Sequence, residues 1–406
     1  MCPSANSQEP GLVVVMPMTG RIAYWDAVSS AVSEGLFAKR RGVEGKVPTM
    51  SGETITSICS AEPAGFVIST SSGRLAHLAL RDTAGRPGVT VTIMRGSSGF
   101  GGLLGALRAG SNRRDIVAVR AGKVLRMGER EVFVGTARGN FSRWHVNRTG
   151  GYANTMDVDL RDEILTAFSG QRALQGKNKD HFQVVDLQVT GYSQSAEYDQ
   201  EDNVQLLVLT VISSPNSKAT YALVSLELMA GGTATVGDIH VIKSYTDSWG
   251  TETPPRLYFP SPRKTAFVVF PRAVVVISKI RQDPSEMEYD QQQESFEDVV
   301  DFRGELGIEI IGSGSESVDI DMAEVIGSFA SDQGHVKRIK NPGVILVAKG
   351  AGILRVEAFD LGAGAKTITA PVTVKSKLEQ AVFYGAKSDV STPPPKKKGN
   401  NARNNG

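Results

Sequence analysis

Short apolar runs separated by turn residues dominate the pattern along the chain. In Val89–Ile93 and Gln183–Val189 apolar and polar residues alternate, which is the period of a strand with one buried face. Val204–Ile212 and Ala266–Phe270 are nearly all apolar, which predicts strands buried on both faces. Because most runs are too short for the helices of a globular protein, the pattern predicts an all-β chain.

The predicted strands fall into five groups of four, preceded by the pair Leu12–Met16 and Arg21–Trp25. Four-strand groups that recur along a chain are typical of a β-propeller, in which each group is one blade. The five groups are Ile55–Ser60, Gly65–Thr70, Arg74–Leu80 and Val89–Met94; Ile116–Arg120, Glu131–Ala137, Phe141–Val146 and Met156–Leu160; Gln183–Thr190, Val204–Ile212, Tyr221–Leu228 and Thr235–Ile242; Arg256–Phe259, Ala266–Phe270, Ala273–Ile280 and Asp298–Phe302; and Leu306–Ile311, Gly343–Ala348, Ile353–Phe359 and Lys366–Val372.

The stretches between the strands carry other signals. Arg161–Phe168 and Ser376–Tyr384 have apolar positions at helical spacing, which predicts short helices in the insertions between blades. Gly312–Ser317 is rich in Gly and Ser, which predicts a loop. Gln194–Asn203 and Asp283–Glu297 are acidic, which indicates either solvated loops or contacts with a partner.

These patterns predict three regions. Residues 1–10 are expected to be disordered, residues 11–385 to form the propeller, and residues 386–406 to form a disordered tail rich in Pro, Lys and Asn. The triplet Lys396–Lys398 is also compatible with a nuclear localisation signal, although a bare Lys triplet is weak support for one.

One segment, Gly96–Arg114, combines an apolar stripe with a background of Gly and Ser. Phe100, Leu103, Leu104 and Leu107 fall at i, i+3, i+4 and i+7, which is one face of an α-helix. The interior glycines together cost such a helix about 4 kcal/mol. Half-burying the four large side chains returns roughly 4–6 kcal/mol. The segment is therefore expected to be helical only against an apolar surface, like an interfacial helix that senses lipid packing.

A Gly/Ser-rich run between two strands is also compatible with a plain flexible loop. A phosphate-binding loop is not compatible with the residues, because Leu104 occupies the third glycine position of G-x-G-x-x-G and no Walker lysine follows. Both interpretations, the membrane-binding residues Phe100, Leu103, Leu104 and Leu107 and the flexible loop, stay open at this point.

Composition excludes several classes of function. Lys and Arg number 45 against 43 for Asp and Glu, so the chain lacks the basic excess of a dedicated nucleic-acid binder. The 2 cysteines form no CxxC motif and the 5 histidines are scattered, so no metal site or cofactor is expected. No apolar run is long enough to span a bilayer, and a soluble protein of the cytosol or nucleus is expected. No catalytic motif stands out, so we expect no enzyme, with a propeller hydrolase as the weakest alternative.

Six stretches in order carry a resemblance to a known family. They are similar to the N-terminal domains of the nucleoporin 133 and nucleoporin 155 family, closest to its fungal members, over about residues 11–385. The stretches are Thr19–Ala31, Thr54–Ile58, Val67–Leu75, Arg256–Pro260, Thr265–Val276 and Lys375–Tyr384.

The resemblance implies a seven-bladed propeller in a scaffold subunit of the Y-shaped complex, in the outer rings of the nuclear pore. It implies other nucleoporins of that complex and curved nuclear envelope membrane as partners, and support of mRNA and protein transport. The family carries a lipid-packing sensor in a loop between its third and fourth blades, and residues 96–112 lie at that place if Leu12–Trp25 ends the second blade. Two departures from the family pattern are expected. About one and a half blades are missing at the N-terminus, and the family's helical solenoid is missing at the C-terminus. The alternative function is a protein-interaction propeller without a membrane role.

Overall fold

The computed structural model is an array of six antiparallel sheets. It describes residues 1–4, 8–33, 42–82, 84–96, 115–171, 174, 181–193, 202–214, 217–229, 232–246, 253–261, 263–278, 296–305, 307–316 and 342–358. Within these ranges the sheets contain 3, 4, 4, 4, 4 and 3 strands, and we call them sheets 1 to 6 in chain order.

Each sheet follows chain order, from its first strand to its last. Sheet 1 is β1 (Leu12–Val15), β2 (Arg21–Trp25) and β3 (Val43–Lys46); sheet 2 is β4 (Ile55–Ser60), β5 (Phe66–Thr70), β6 (Leu75–Arg81) and β7 (Pro87–Met94); sheet 3 is β8 (Ile116–Arg126), β9 (Glu129–Thr136), β10 (Asn140–Asn147) and β11 (Tyr152–Asp159). Sheet 4 is β12 (Phe182–Ser193), β13 (Asn203–Ser214), β14 (Ser217–Leu228) and β15 (Ala234–Val241); sheet 5 is β16 (Arg256–Tyr258), β17 (Thr265–Phe270), β18 (Ala273–Ser278) and β19 (Phe296–Asp301); sheet 6 is β20 (Glu309–Ser315), β21 (Gly343–Lys349) and β22 (Gly352–Glu357).

The sheets stack as propeller blades around a common axis. The first strands of sheets 2 to 6 pack against one another in succession, β4 on β8, β8 on β12, β12 on β16 and β16 on β20. Five apolar clusters each fill one interface between neighbouring sheets. This arrangement confirms the predicted β-propeller, and its ring is not closed within the described residues.

The all-apolar strands are buried on both faces, as the pattern predicts. In β13, Leu207, Leu209 and Val211 face sheet 5, whereas Leu206 and Val208 face sheet 3. A central strand of a blade needs both faces apolar because a blade packs on either side of it. In β17 every residue is buried for the same reason.

Two helices lie within the described ranges, α1 (Val28–Ser33) and α2 (Arg161–Ser169). The second confirms the helix predicted over Arg161–Phe168, in the insertion between sheets 3 and 4. Its apolar face, Ile164, Leu165 and Phe168, is buried in the cluster between those two sheets.

Several local predictions differ from the structure. Gly312–Ser315 is part of β20 rather than a loop, because it pairs with Val344–Val347 of the apolar strand β21. In the stretch expected to be disordered over residues 1–10, Cys2 is buried and forms a two-way backbone bridge with Gly11.

The structure also contains β3 and α1, which the apolar pattern does not indicate. The predicted strand Lys366–Val372, the predicted helix Ser376–Tyr384 and the tail 386–406 lie outside the described residues.

Candidate functional site

The predicted membrane-binding residues Phe100, Leu103, Leu104 and Leu107 lie outside the described residues. The structure describes the two strands that flank their segment, β7 of sheet 2 and β8 of sheet 3. The segment therefore connects the last strand of one blade to the first strand of the next.

Both flanking strands are anchored in the same apolar core. Met94, at the end of β7, is 5% exposed and belongs to the cluster that joins sheets 2 and 3. Ile116, at the start of β8, packs against that cluster and pairs with Thr136. The ends of the segment are thus held by two neighbouring blades, whatever the segment itself does.

Strand register shows which face of the propeller the segment leaves from. Met94 pairs with Leu75, the first residue of β6. The turn between β5 and β6 immediately precedes Leu75, and the linker from β3 to β4 joins this turn through the hydrogen bond from Arg74 Nη2 to Pro48 O, 2.9 Å. The end of β7, from which the segment begins, therefore lies on the same face as this turn and this linker, and we call it the segment face.

A buried carboxylate fixes the linker on the segment face. Glu53, 5% exposed, accepts hydrogen bonds from Met50 N (2.7 Å) and Arg74 Nε (2.9 Å), and it is ion-paired with Arg74 Nη2 and bonded to Ser72 Oγ. The Arg74 guanidinium holds the pKa of this carboxyl well below its ordinary value, against the opposing effect of burial. The group is charged at neutral pH, and its charge is compensated.

A second buried carboxylate ties sheets 3, 4 and 5 together. Asp186 of β12 is ion-paired with Arg120 of β8 and accepts from Leu187 N and Leu257 N, each at 2.8 Å. Burial raises the pKa of the Asp186 carboxyl, while the guanidinium and the two N–H groups act in the opposite direction. Because its partners lie in both neighbouring blades, Asp186 sets the spacing of three inner strands.

The acidic stretch Asp283–Glu297, predicted to be a solvated loop or a partner contact, contributes a structural carboxylate at its last residue. Glu297 in β19 accepts from Lys243 N at 3.0 Å, and one of its oxygens lies 2.9 Å from His240 Nε2. Burial acts to raise the pKa of Glu297, but the hydrogen bonds from His240 and Ser244 together outweigh it, so the pKa is lowered. This end of the acidic stretch therefore stabilises the outer edge of sheets 4 and 5.

Within the described ranges, no group of three or more His, Cys, Asp and Glu residues is arranged to hold a metal ion. Cys2 and Cys59 are free thiols. Burial raises the pKa of Cys2 to about 11 and also raises that of Cys59, which opposes formation of the nucleophilic thiolate.

Neither of the helices described above is long and apolar enough to cross a membrane.

Sequence reasoning missed the polar residues that shape the segment face. Glu53 and Arg74 stand 21 positions apart, and only strand pairing brings them together. It also missed the exposed methionines of the turn after β1, because Pro17–Gly20 reads simply as a turn.

Comparison with known proteins identifies the family. The family model described as Nup133 N terminal like matches residues 1–355. Nucleoporin NUP133 of Chaetomium thermophilum is 39% identical over 95% of this chain and 30% of that protein. Nucleoporin nup132 of Schizosaccharomyces pombe is 24% identical over 94% of this chain and 29% of that protein. The chain thus spans about 30% of the length of these relatives.

The fold is also that of a solved relative. The Nup133 β-propeller domain of Vanderwaltozyma polyspora matches with a TM-score of 0.64 at 18% identity, over 88% of this chain and 82% of that chain. At this identity the match shows the fold alone. Together with the family model and the relative at 39% identity, it confirms the resemblance of the six sequence stretches. The chain belongs to the Nup133 N-terminal-like family of nucleoporins.

Proposed function

We propose that the chain is the propeller of a nuclear pore scaffold subunit and holds residues 96–112 against the curved membrane of the pore. The observation that carries this proposal is the apolar stripe of four large side chains in a Gly/Ser background, placed between two anchored strands. Such a segment gains a helical state when a lipid surface accepts the stripe. The propeller supplies a rigid mount for it.

Family membership supports the location of the chain at the nuclear pore. The relatives are nucleoporins, proteins of the nuclear pore complex in the nuclear envelope, and the chain shares that location with them. In the proposal the chain acts with other nucleoporins of the outer-ring Y-shaped complex, and supports transport of mRNA and protein by keeping that scaffold at the membrane. The propeller makes no direct contact with nucleic acid, in keeping with a formal net charge of only +2.

The energy balance explains why curvature would be sensed. The glycine cost of about 4 kcal/mol and the apolar gain of roughly 4–6 kcal/mol nearly cancel. A tightly packed flat bilayer reduces the gain, because large side chains enter it less completely. Highly curved membrane exposes packing defects and tips the balance toward the helix.

Flotation of the chain with phosphatidylcholine vesicles of decreasing radius tests the proposal. We expect binding to rise as the radius falls, and the double substitution Phe100→Asp with Leu104→Asp to abolish binding to the smallest vesicles. The matched control is Ser98→Asp with Ala109→Asp, which adds the same charge on the opposite side of the helix. Equal binding by the Phe100/Leu104 variant and the wild-type chain would remove the sensor from the proposal.

A second candidate function is a protein-interaction propeller without a membrane role. It is favoured by an exposed apolar stripe on sheet 6, formed by Ile311, Val347 and Ile353 at 64%, 43% and 75% exposure. Exposed apolar stripes of this kind are typical of surfaces that meet another polypeptide. This alternative predicts that deletion of residues 96–112 leaves localisation at the pore unchanged, whereas the membrane proposal predicts its loss.

A further inference from the structure

Three exposed methionines lie together on the segment face. Met16, Met18 and Met50 are 48%, 77% and 61% exposed. Pro17 and Pro48, beside them in the chain, are exposed as well. We call these five residues the methionine patch. Single exposed methionines such as Met127 also occur, so what distinguishes these three is that they lie next to one another.

The backbone holds the two halves of the methionine patch together. Ile55 N donates to Pro17 O at 2.9 Å, and Val47 N donates to Gly20 O at 2.8 Å. Gly20 has a φ of +67°, and a Cβ there would lie 2.8 Å from Val47 O, so only glycine permits this approach. The turn after β1 is therefore fixed against the linker between β3 and β4.

The methionine patch lies beside the start of the segment that carries the proposed sensor. Pro48 O accepts from Arg74, Arg74 precedes Leu75, and Leu75 pairs with Met94, the last residue of β7. Pro48 and Met94 are therefore separated by a few strand widths, roughly 15 Å. A helix formed by residues 97–114 would be about 27 Å long. The patch and the sensor can therefore touch one surface at the same time.

Charge around the methionine patch suits an anionic surface. Lys46, the last residue of β3, and Arg95, directly after β7, are exposed at strand ends on the segment face. Of the nearby carboxylates, Glu53 is buried and neutralised by Arg74, and Glu44 is paired with Arg21 at 3.3 Å. The apolar side chains are thus bordered by cations that attract lipid phosphates and anionic headgroups.

We infer that the methionine patch is a second membrane contact, which inserts Met16, Met18 and Met50 into the same anionic, curved bilayer that the sensor enters. This inference rests on the proposed function and adds a fixed contact to it. Methionine suits the task because its unbranched side chain adapts to an irregular acyl surface. The sensor supplies the preference for curvature, and the methionine patch adds affinity and orients the segment face toward the membrane.

The matched test replaces methionine by glutamine, which has a similar length and no charge. We expect Met18→Gln with Met50→Gln to weaken binding to small phosphatidylcholine vesicles containing a minor fraction of phosphatidylserine by about tenfold, with the radius preference retained. Met127→Gln is the control. Met127 is 90% exposed in the turn after β8, on the opposite face of the propeller.

The outcomes separate this inference from the sensor proposal. Unchanged vesicle affinity of the Met18/Met50 variant overturns the inference, leaves the sensor intact and points to a protein partner for the methionine patch. Weaker binding by this variant, together with wild-type binding by Phe100→Asp with Leu104→Asp, supports the inference and overturns the sensor. Absence of binding by the wild-type chain overturns both.

Oxidation of the methionines gives a second measurement on the unmodified chain. Peroxide converts exposed methionine to the sulfoxide, and burial slows the reaction. In the vesicle-bound fraction we expect Met18 and Met50 to oxidise severalfold more slowly than in the free chain, while Met127 keeps its rate. Equal rates for Met18 and Met50 in bound and free chain would overturn the inference.

Discussion

The ion pair between Glu53 and Arg74 offers a prediction that the geometry makes quantitative. Glu53→Gln keeps the shape of the side chain and removes its charge. The glutamine oxygen can still accept from Met50 N, but its amide nitrogen then faces the donors of Arg74 and Ser72. The substitution thus breaks a buried pair from one side while the fold around it stays the same.

The magnitude follows from burial. Breaking a fully buried ion pair costs about 3–5 kcal/mol because a charge is left uncompensated. The side chain of Glu53 is 2% exposed and that of Arg74 is 23% exposed, so the guanidinium regains part of its hydration. We therefore expect a loss of about 2–4 kcal/mol in the free energy of unfolding at neutral pH.

The dependence on pH has a definite sign. The folded-state pKa of Glu53 lies below its ordinary value of 4.5. Its stabilisation is therefore fully present above pH 4.5 and is lost as the pH falls toward the folded-state pKa. The stability gap between the wild-type chain and Glu53→Gln should be constant near neutral pH and should narrow in acid.

Urea unfolding of both chains across this pH range provides the assay. The control is Glu44→Gln, because the pair of Glu44 with Arg21 is 70% and 59% exposed, and its loss should stay within about 0.5 kcal/mol. Equal stability of the Glu53 and Glu44 variants, or a gap that persists unchanged into acid, would refute the reasoning.

Three further predictions concern the blade interfaces and the segment. Asp186→Ala should lower the free energy of unfolding in urea by about 3–5 kcal/mol, because the Arg120 guanidinium and the N–H groups of Leu187 and Leu257 lose their acceptor. The control Asp82→Asn, at an exposed residue, should leave the urea midpoint unchanged. Gly122→Ala should cost about 1–3 kcal/mol, because a Cβ there would lie 2.4 Å from the hydroxyl of Tyr192; an unchanged thermal midpoint would contradict that crowding. A peptide of Gly96–Arg114 should show no helical circular dichroism in buffer and gain it with highly curved vesicles, and a helix already present in buffer would count against the sensor.

Most strands could be predicted from the sequence because a blade strand carries its own apolar signal. The exceptions are segments that form strands only because a neighbouring strand pairs with them. Val43–Lys46 has one large apolar residue and forms β3 by pairing with Arg21–Tyr24 of β2. The Gly/Ser end of β20 joins its sheet because Val344–Val347 presents an apolar partner. Such pairings cannot be predicted from the local composition of the segment.

The candidate site likewise has one part that the sequence predicts and one part that it does not. The apolar stripe of Phe100, Leu103, Leu104 and Leu107 follows from spacing alone, because helical periodicity is a local property of a chain. The face it leaves from depends on the register of Met94 with Leu75, which the sequence does not state.

By itself the sequence determined most strand-forming segments, the β-propeller class and the family, because alternation, buried apolar runs and ordered motifs are local properties of a sequence. Only the tertiary structure decided that Met16, Met18 and Met50 share one face, that Glu53 meets Arg74 and that Asp186 joins three blades. These groups are distant along the chain, and strand pairing within a blade or packing between blades makes them neighbours.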